Sequence, residues 1–194
     1  MASETAKPRL LLGVCGGIAA YKAADLVSQA IKAGYEVRVV MTPNATRFVQ
    51  PLTFEALSGH PVMTDALATG GGVGAIEHIA WARWADVAVV APLTASTLAR
   101  LAVGLADDAL TTVWMALAEG VPCVVCPAMN TAMWEHPVVR RNLRWLDELG
   151  RYRVVAPSTK RLACGEVGPG GLADAVDILA AIDGALAARR PPPP

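Results

Sequence analysis

"RLLLGVCGGIAAYKAADLVSQAIKAG", residues 9–34, decides how this chain folds. From Leu10 the run is apolar without alternation, the pattern of a strand covered on both faces rather than on one. Gly16 and Gly17 interrupt it, and the residues that follow carry helical spacing up to a stop at Gly34. A strand, a glycine turn and a helix in that order are the first half of a βαβ unit.

The same alternation recurs downstream. "EVRVVMT" (36–42), "WADVAVVAP" (84–92), "VPCVVCPA" (121–128) and "YRVVAP" (152–157) read as four more strands. Helices are expected late in 43–58, over 94–103, 107–119 and 137–149, and in the closing "GLADAVDILAAIDGALAAR". Strands alternating with helices imply an α/β fold: one domain with a doubly wound parallel sheet, flavodoxin- or Rossmann-like, and helices on both faces. The domain is expected over 9–188, with a flexible N-terminus at 1–8, a mobile glycine-rich loop at 64–75 and a disordered proline tail at 189–194.

Composition narrows the class. Of 194 residues 54% are hydrophobic and 18% charged, which is apolar enough to ask for a doubly covered sheet and for buried subunit interfaces. Seventeen basic and seventeen acidic residues cancel, so no field favours nucleic acid or an anionic membrane. No apolar run reaches the roughly 18 residues that cross a bilayer, and "MASETAKPR" has no signal-peptide character; a cytoplasmic protein is expected. The four cysteines, 15, 123, 126 and 164, are then reduced thiols. "CVVC" is no metal site, because side chains at i and i+3 of a strand face opposite sides.

In sheets of this kind ligands bind beyond the carboxyl ends of the strands. The unusual strings all fall there: "CGGIAAYK", "MTPNATRF", "APLTAST", "CPAMNTAMW" and "APSTKRLACGEVGPGG". Gly16 and Gly17 before a helix suit a phosphate, although a tight strand-to-helix turn explains them equally, and G-x-G-x-x-G and the Lys-Ser/Thr P-loop are both absent. Thr42 and Asn44 are phosphate donors or caps of the next helix. Thr94, Ser96 and Thr97 suit a polar heteroaromatic ring such as flavin; capping accounts for one hydroxyl more readily than for three. His78 stands alone before a strand, and His60 and His136 have no supporting pattern.

Four motifs resemble those of the homo-oligomeric flavin-containing cysteine decarboxylases, over about residues 8–175. They are "GIAAYK" (17–22), "HIAWARWADVAVVAP" (78–92), "PLTAST" (92–97, with Ser96 where Asn is usual) and "PAMNTAMW" (127–134). The resemblance implies FMN as cofactor, with Ile18, Ala95, Ala128 and Met129 joining the glycines and hydroxyl residues around it. It implies His78 as the acid/base and Asn130 as the grip on the substrate carboxylate, with Met133 packed beside the reacting end. It further implies a lid over 160–171, in which Ala163, Cys164 and Gly165 touch substrate; Cys164 occupies the position of the proton donor in the coenzyme A enzymes, whereas the peptide-modifying enzymes stop at the enethiol.

The chemistry so implied is oxidation of the cysteine Cβ–S unit to a thioaldehyde, followed by loss of CO₂ to an enethiol. Family members are homotrimers or dodecamers of trimers, so a shared pocket is expected. Two branches differ in substrate: the C-terminal Cys of a ribosomally made precursor peptide, or phosphopantothenoylcysteine of coenzyme A synthesis. Ser96, Gly171 and Asp108 depart from the coenzyme A pattern, no synthetase domain follows Pro194, and the Ala-, Arg- and Pro-rich composition resembles that of high-GC bacteria, where peptide natural-product clusters are plentiful. Together these make the peptide branch the expected one. Cys164 argues for the other. A non-catalytic regulatory flavoprotein and a prenylated-flavin synthase are the more distant alternatives.

Overall fold

The computed structural model describes residues 6–66, 77–161, 165 and 167–188. Six strands form one parallel sheet in the order β3-β2-β1-β4-β5-β6, the doubly wound arrangement expected. They are β1 (Arg9–Val14), β2 (Glu36–Met41), β3 (Val62–Met63), β4 (Val87–Leu93), β5 (Cys123–Pro127) and β6 (Tyr152–Val154). Eight helices accompany them: α1 (Ala20–Lys32), α2 (Pro51–Ser58), α3 (Glu77–Trp84), α4 (Ala95–Val103), α5 (Ala109–Met115), α6 (Thr131–Glu135), α7 (Pro137–Glu148) and α8 (Ala175–Ala187). A separate antiparallel hairpin, β7 (Ser158–Arg161) with β8 (Val167–Gly171), stands outside the sheet.

Strand β1 divides the core in two. Leu10, Leu12 and Val14 face one side and pack with Leu26 and Val27 of α1, Phe54 of α2 and Ile178 and Ile182 of α8. Leu11 faces the other, with Leu98 of α4, Leu110 and Trp114 of α5 and Leu146 of α7. Gly13 shares that second face because a Cβ there would meet Leu110 Cδ1 at 2.8 Å. Both faces are covered, which is why β1 and β4 read as unbroken apolar runs. At the amino end of the sheet, the Arg9 guanidinium donates to both Asp86 oxygens at 3.1 Å and ties β1 to the entrance of β4. The Tyr35 hydroxyl donates to Asp183, joining α8 to the turn before β2.

Several elements differ from the sequence reading. The sheet holds a sixth strand, because two residues of β3 suffice to pair with Val39 and Val40. Trp84 ends α3 instead of opening a strand; its ring lies 4.4 Å from the Arg38 guanidinium, off the sheet. The expected helix 107–119 contracts to α5, because Asp108 caps it by accepting from the Thr111 N–H at 2.8 Å. The strand placed at 121–128 begins at Cys123. Pro8, assigned to a flexible terminus, accepts from the Glu36 N–H at 3.0 Å and extends the pairing of β1 with β2. The remaining terminal assignments, 1–5 and 189–194, and most of the 64–75 loop lie outside the described residues.

The turn after β1 is the tightest passage in the fold. A Cβ on Gly16 would stand 2.4 Å from Asn44 Cβ and 2.6 Å from the Asn44 carbonyl carbon, whereas one on Gly17 would meet nothing nearer than Thr94 Cγ2 at 3.6 Å. Gly16→Ala should therefore cost about 1–3 kcal/mol by forcing backbone apart, read as a lower denaturation midpoint, while Gly17→Ala leaves that midpoint in place. Leu12→Ala removes a fully buried side chain and should cost about 2–5 kcal/mol in urea unfolding; an unchanged midpoint would contradict the packing described.

Candidate functional site

The carboxyl ends of β1, β2, β4 and β5 open into one cavity of about 950 Å³, near the upper end of the roughly 300–1,000 Å³ usual for ligand sites. Its position follows from topology. Helix α1 leaves β1 toward one face and α4 leaves β4 toward the other, so a crevice opens between neighbouring strands where their connections diverge.

Gly16, Gly17 and Ile18 form one wall, leading into the first turn of α1. Amides there lack intrahelical acceptors and carry the positive end of the helix dipole, a fit for phosphate. Thr42 and Asn44 line the same wall. Thr42 Oγ1 accepts from the Ala45 N–H at 3.3 Å, so capping does explain this residue. Asn44 makes no side-chain cap, although it sits at the cap position of the short 3-10 turn Ala45–Arg47.

The β4 wall is built by Pro92, Thr94, Ala95, Ser96 and Thr97. Every hydroxyl here has a local partner. Thr94 Oγ1 accepts from the Thr97 N–H and pairs with Thr97 Oγ1, both at 3.3 Å. Ser96 Oγ accepts from Arg100 Nη1 at 2.9 Å, and Arg100 Nε pairs with Asp107 at 2.8 Å. Beneath this wall, burial pushes the Cys15 thiol up to about 11, against a smaller downward pull from its bonds to Thr97 and Thr94. It is thus a neutral support and no nucleophile.

Ala128, Met129 and Asn130 follow β5 and complete the floor, with Met133 on the first turn of α6. Asn130 Oδ1 accepts from the Ala132 N–H at 2.8 Å, which fixes the carboxamide plane at the cavity floor. Met129 N–H donates to the Gly170 carbonyl at 2.9 Å, stitching the β7–β8 hairpin to this floor. Gly168 of β8 lies so close to α6 that a Cβ would meet Thr131 Oγ1 at 2.5 Å.

Large apolar side chains stand uncovered on the cavity wall: Ile18 at 63%, Tyr21 at 61% and Met133 at 47% exposure. Apolar surface around a glycine turn and a helix start fits a flat ring system bearing a phosphate, as in a flavin mononucleotide. Sequence reasoning missed Arg100 and Asp107, and placed Tyr21 and Lys22 in the "GIAAYK" motif and Lys160 and Arg161 in the lid without giving them a role; all six line the cavity. Helical spacing carried part of the signal, since Lys22 is four residues beyond Ile18 and Arg100 four beyond Ser96.

Two expected site residues lie elsewhere. His78, on α3, does not line its own chain's cavity; its Nδ1 is buried with no hydrogen-bond partner among the described residues. Gly165 is exposed, at φ +89°, and is not part of the wall. Ala163 and Cys164 lie outside the described residues, as do 162 and 166 of the lid assigned to 160–171; the described part of that segment includes the end of β7 and all of β8. No cluster of metal-ligating side chains occurs among the described residues, and no described helix is long and apolar enough to cross a membrane.

A family model described as Flavoprotein matches residues 1–187. A Streptococcus mutans protein named "Probable phosphopantothenoylcysteine decarboxylase" is 45% identical over 175 residues, covering 90% of this chain and 97% of that protein. The Bacillus subtilis coenzyme A biosynthesis bifunctional protein CoaBC is 48% identical over 170 residues; 88% of this chain is covered but only 41% of CoaBC. Among solved structures, a Cys-to-Ser variant of PPC decarboxylase complexed with pantothenoylaminoethenethiol superposes with a TM-score of 0.84, at 38% identity over 92% of this chain and 97% of that one. The FMN-dependent cysteine decarboxylase SpaF gives a TM-score of 0.78 at 38% identity, over 93% and 98% of the two chains. The chain therefore belongs to the Flavoprotein family, among its flavin-containing cysteine decarboxylases.

Proposed function

We propose that this chain uses FMN to decarboxylate the cysteine unit of phosphopantothenoylcysteine in coenzyme A synthesis. The observation that carries this reading is the pairing, in one cavity, of a glycine-turn phosphate wall with the Ala128–Asn130 floor and Met133. The branch is chosen on similarity: the 45% identical S. mutans relative, matched over nearly its whole length, carries the phosphopantothenoylcysteine name. This replaces the peptide substrate expected from sequence. Ser96, Asp108 and Gly171, which had suggested a specialised substrate, all have local structural reasons. Ser96 receives Arg100, Asp108 caps α5, and a Cβ at Gly171 would press on Ser158 Oγ at 3.1 Å.

Bound FMN supplies a two-electron acceptor and donor beside the substrate's Cβ–S unit. The Gly16–Ile18 turn and Asn44 would hold its phosphate, and Thr94, Ser96, Thr97 and Met129 would line the place of its ring. Asn130 Nδ2 donates to the substrate carboxylate. A neutral amide orients that group without the strong ground-state stabilisation that a cation gives, so loss of CO₂ sacrifices little binding. Met133 and Ile18 keep water from the reacting end. His78 moves the proton, and because it stands away from its own chain's cavity it acts on the site of a neighbouring copy. Its orphaned Nδ1 and the apolar side chains uncovered at the rim both support a shared site. Cys164 is the proton donor that completes the product.

Mass spectrometry of the yellow protein incubated with phosphopantothenoylcysteine should show loss of CO₂ alone, and Cys164→Ser should convert this to loss of CO₂ plus two hydrogens. A peptide ending in Cys that loses CO₂ while phosphopantothenoylcysteine stays intact would restore the peptide reading. His78→Asn and Asn130→Asp should each abolish turnover with FMN retained, the second by repelling the carboxylate. Co-expressed as mixed oligomers, the two variants should regain part of the activity. No recovery would place His78 and Asn130 on the same chain's site.

A further inference from the structure

We propose that Lys160 and Arg161 of β7, flanked by Lys22 of α1, form the subsite for the terminal phosphate of the substrate and thereby select phosphorylated cysteine conjugates. This rests on the decarboxylase reading above and adds the residues that discriminate within it. The chain as a whole is formally neutral. Its cavity wall is not: it carries Lys22, Arg100, Lys160 and Arg161 against Asp107 and Asp108.

Local partners account for three of these six. Arg100 is paired with Asp107 at 2.8 Å and donates to Ser96 Oγ. The Asp108 carboxylate accepts from the Thr111 N–H and hydroxyl, both at 2.8 Å, as the cap of α5. The three remaining cations gather where the hairpin meets α1 and α8. Two described carboxylates lie among them: Asp25, which lines the second cavity with Lys22 and accepts from Gln29 Nε2 at 2.7 Å, and Asp174. Asp174 occupies the N-cap position of α8, yet its side chain makes no cap and instead pairs with Lys160. Its carboxyl is held below its ordinary value chiefly by Lys160, with a smaller contribution from Lys22, so the two ammonium groups approach the same carboxylate. Arg161 has no acidic partner among the described residues. Among the described residues, three positive charges against two negative leave a net positive end that attracts a phosphate.

Shape agrees with charge. A second cavity of about 240 Å³ shares Tyr21, Lys22 and Leu172 with the first and extends to Asp174 and the start of α8. The combined site is elongated, suiting a substrate with its cysteine carboxylate at Asn130 and an anion at the far end. The cofactor's phosphate has separate provision at the Gly16–Gly17 turn, on a different element from β7. A peptide ending in Cys brings no dianion to the basic end.

The test compares phosphopantothenoylcysteine with pantothenoylcysteine on the FMN-loaded protein, together with binding of 4′-phosphopantothenate and pantothenate by calorimetry. The wild type should favour the phosphorylated member of each pair. Arg161→Gln and Lys160→Gln should each cut that preference by roughly ten- to a hundredfold, mostly through KM and Kd, with FMN content unchanged. Arg161→Gln breaks no ion pair among the described residues and so stands if Lys160→Gln folds poorly. A preference that survives both substitutions, or equal kcat/KM for both substrates in the wild type, overturns the subsite alone. FMN loss in the variants overturns it as well, because the cations then hold the cofactor's phosphate. Turnover of neither substrate by the wild type overturns the decarboxylase reading and the subsite with it.

Discussion

Everything at the site depends on β1 and β4 lying side by side while their helices leave toward opposite faces of the sheet. The two strands are hydrogen-bonded from Leu10↔Val87 to Gly13↔Val90, so their ends cannot separate. Their connections must, because α1 packs on one core and α4 on the other. The gap between them is fixed by backbone pairing, and side chains only line it. Gly16 is then squeezed against the Asn44 backbone. The glycine serves the close approach of two strand exits as much as any ligand.

The parts of this architecture legible in the sequence are those where one physical cause dominates. Doubly buried strands show as apolar runs, and α1 shows by its spacing and its stop at Gly34. The β7–β8 hairpin was not legible, because "VGPGG" has poor strand propensity and is held by tertiary contacts, Gly170 with Met129 and Gly168 against Thr131. Helix α3 was hidden by aromatic and charged residues that show no clear apolar stripe. At the site, the strings nominated as ligand-binding do converge on one cavity, but their hydroxyls also serve the fold: Thr94 caps α4 and Ser96 receives Arg100. Residue type marked the place without revealing that each group was already hydrogen-bonded.

His78 shows a different limit. Its motif resembles one that holds a catalytic His, yet the single chain puts it on α3, apart from the cavity. On the proposed shared site, the role of His78 would depend on an assembly that one folded chain does not display. The substrate branch shows the reverse. Departures at Ser96, Asp108 and Gly171 looked like signs of a different substrate until the structure gave each a packing or capping reason.

The bond from the Met129 N–H to the Gly170 carbonyl has a mechanical consequence. It joins the hairpin to the residue next to Asn130, and Gly168 presses the same strand against α6. The hairpin therefore cannot lift without pulling on the loop that presents the carboxamide. On the proposed reading of Asn130, any displacement of the hairpin would also disturb the hold on the substrate carboxylate, so the entrance and the grip would move as one.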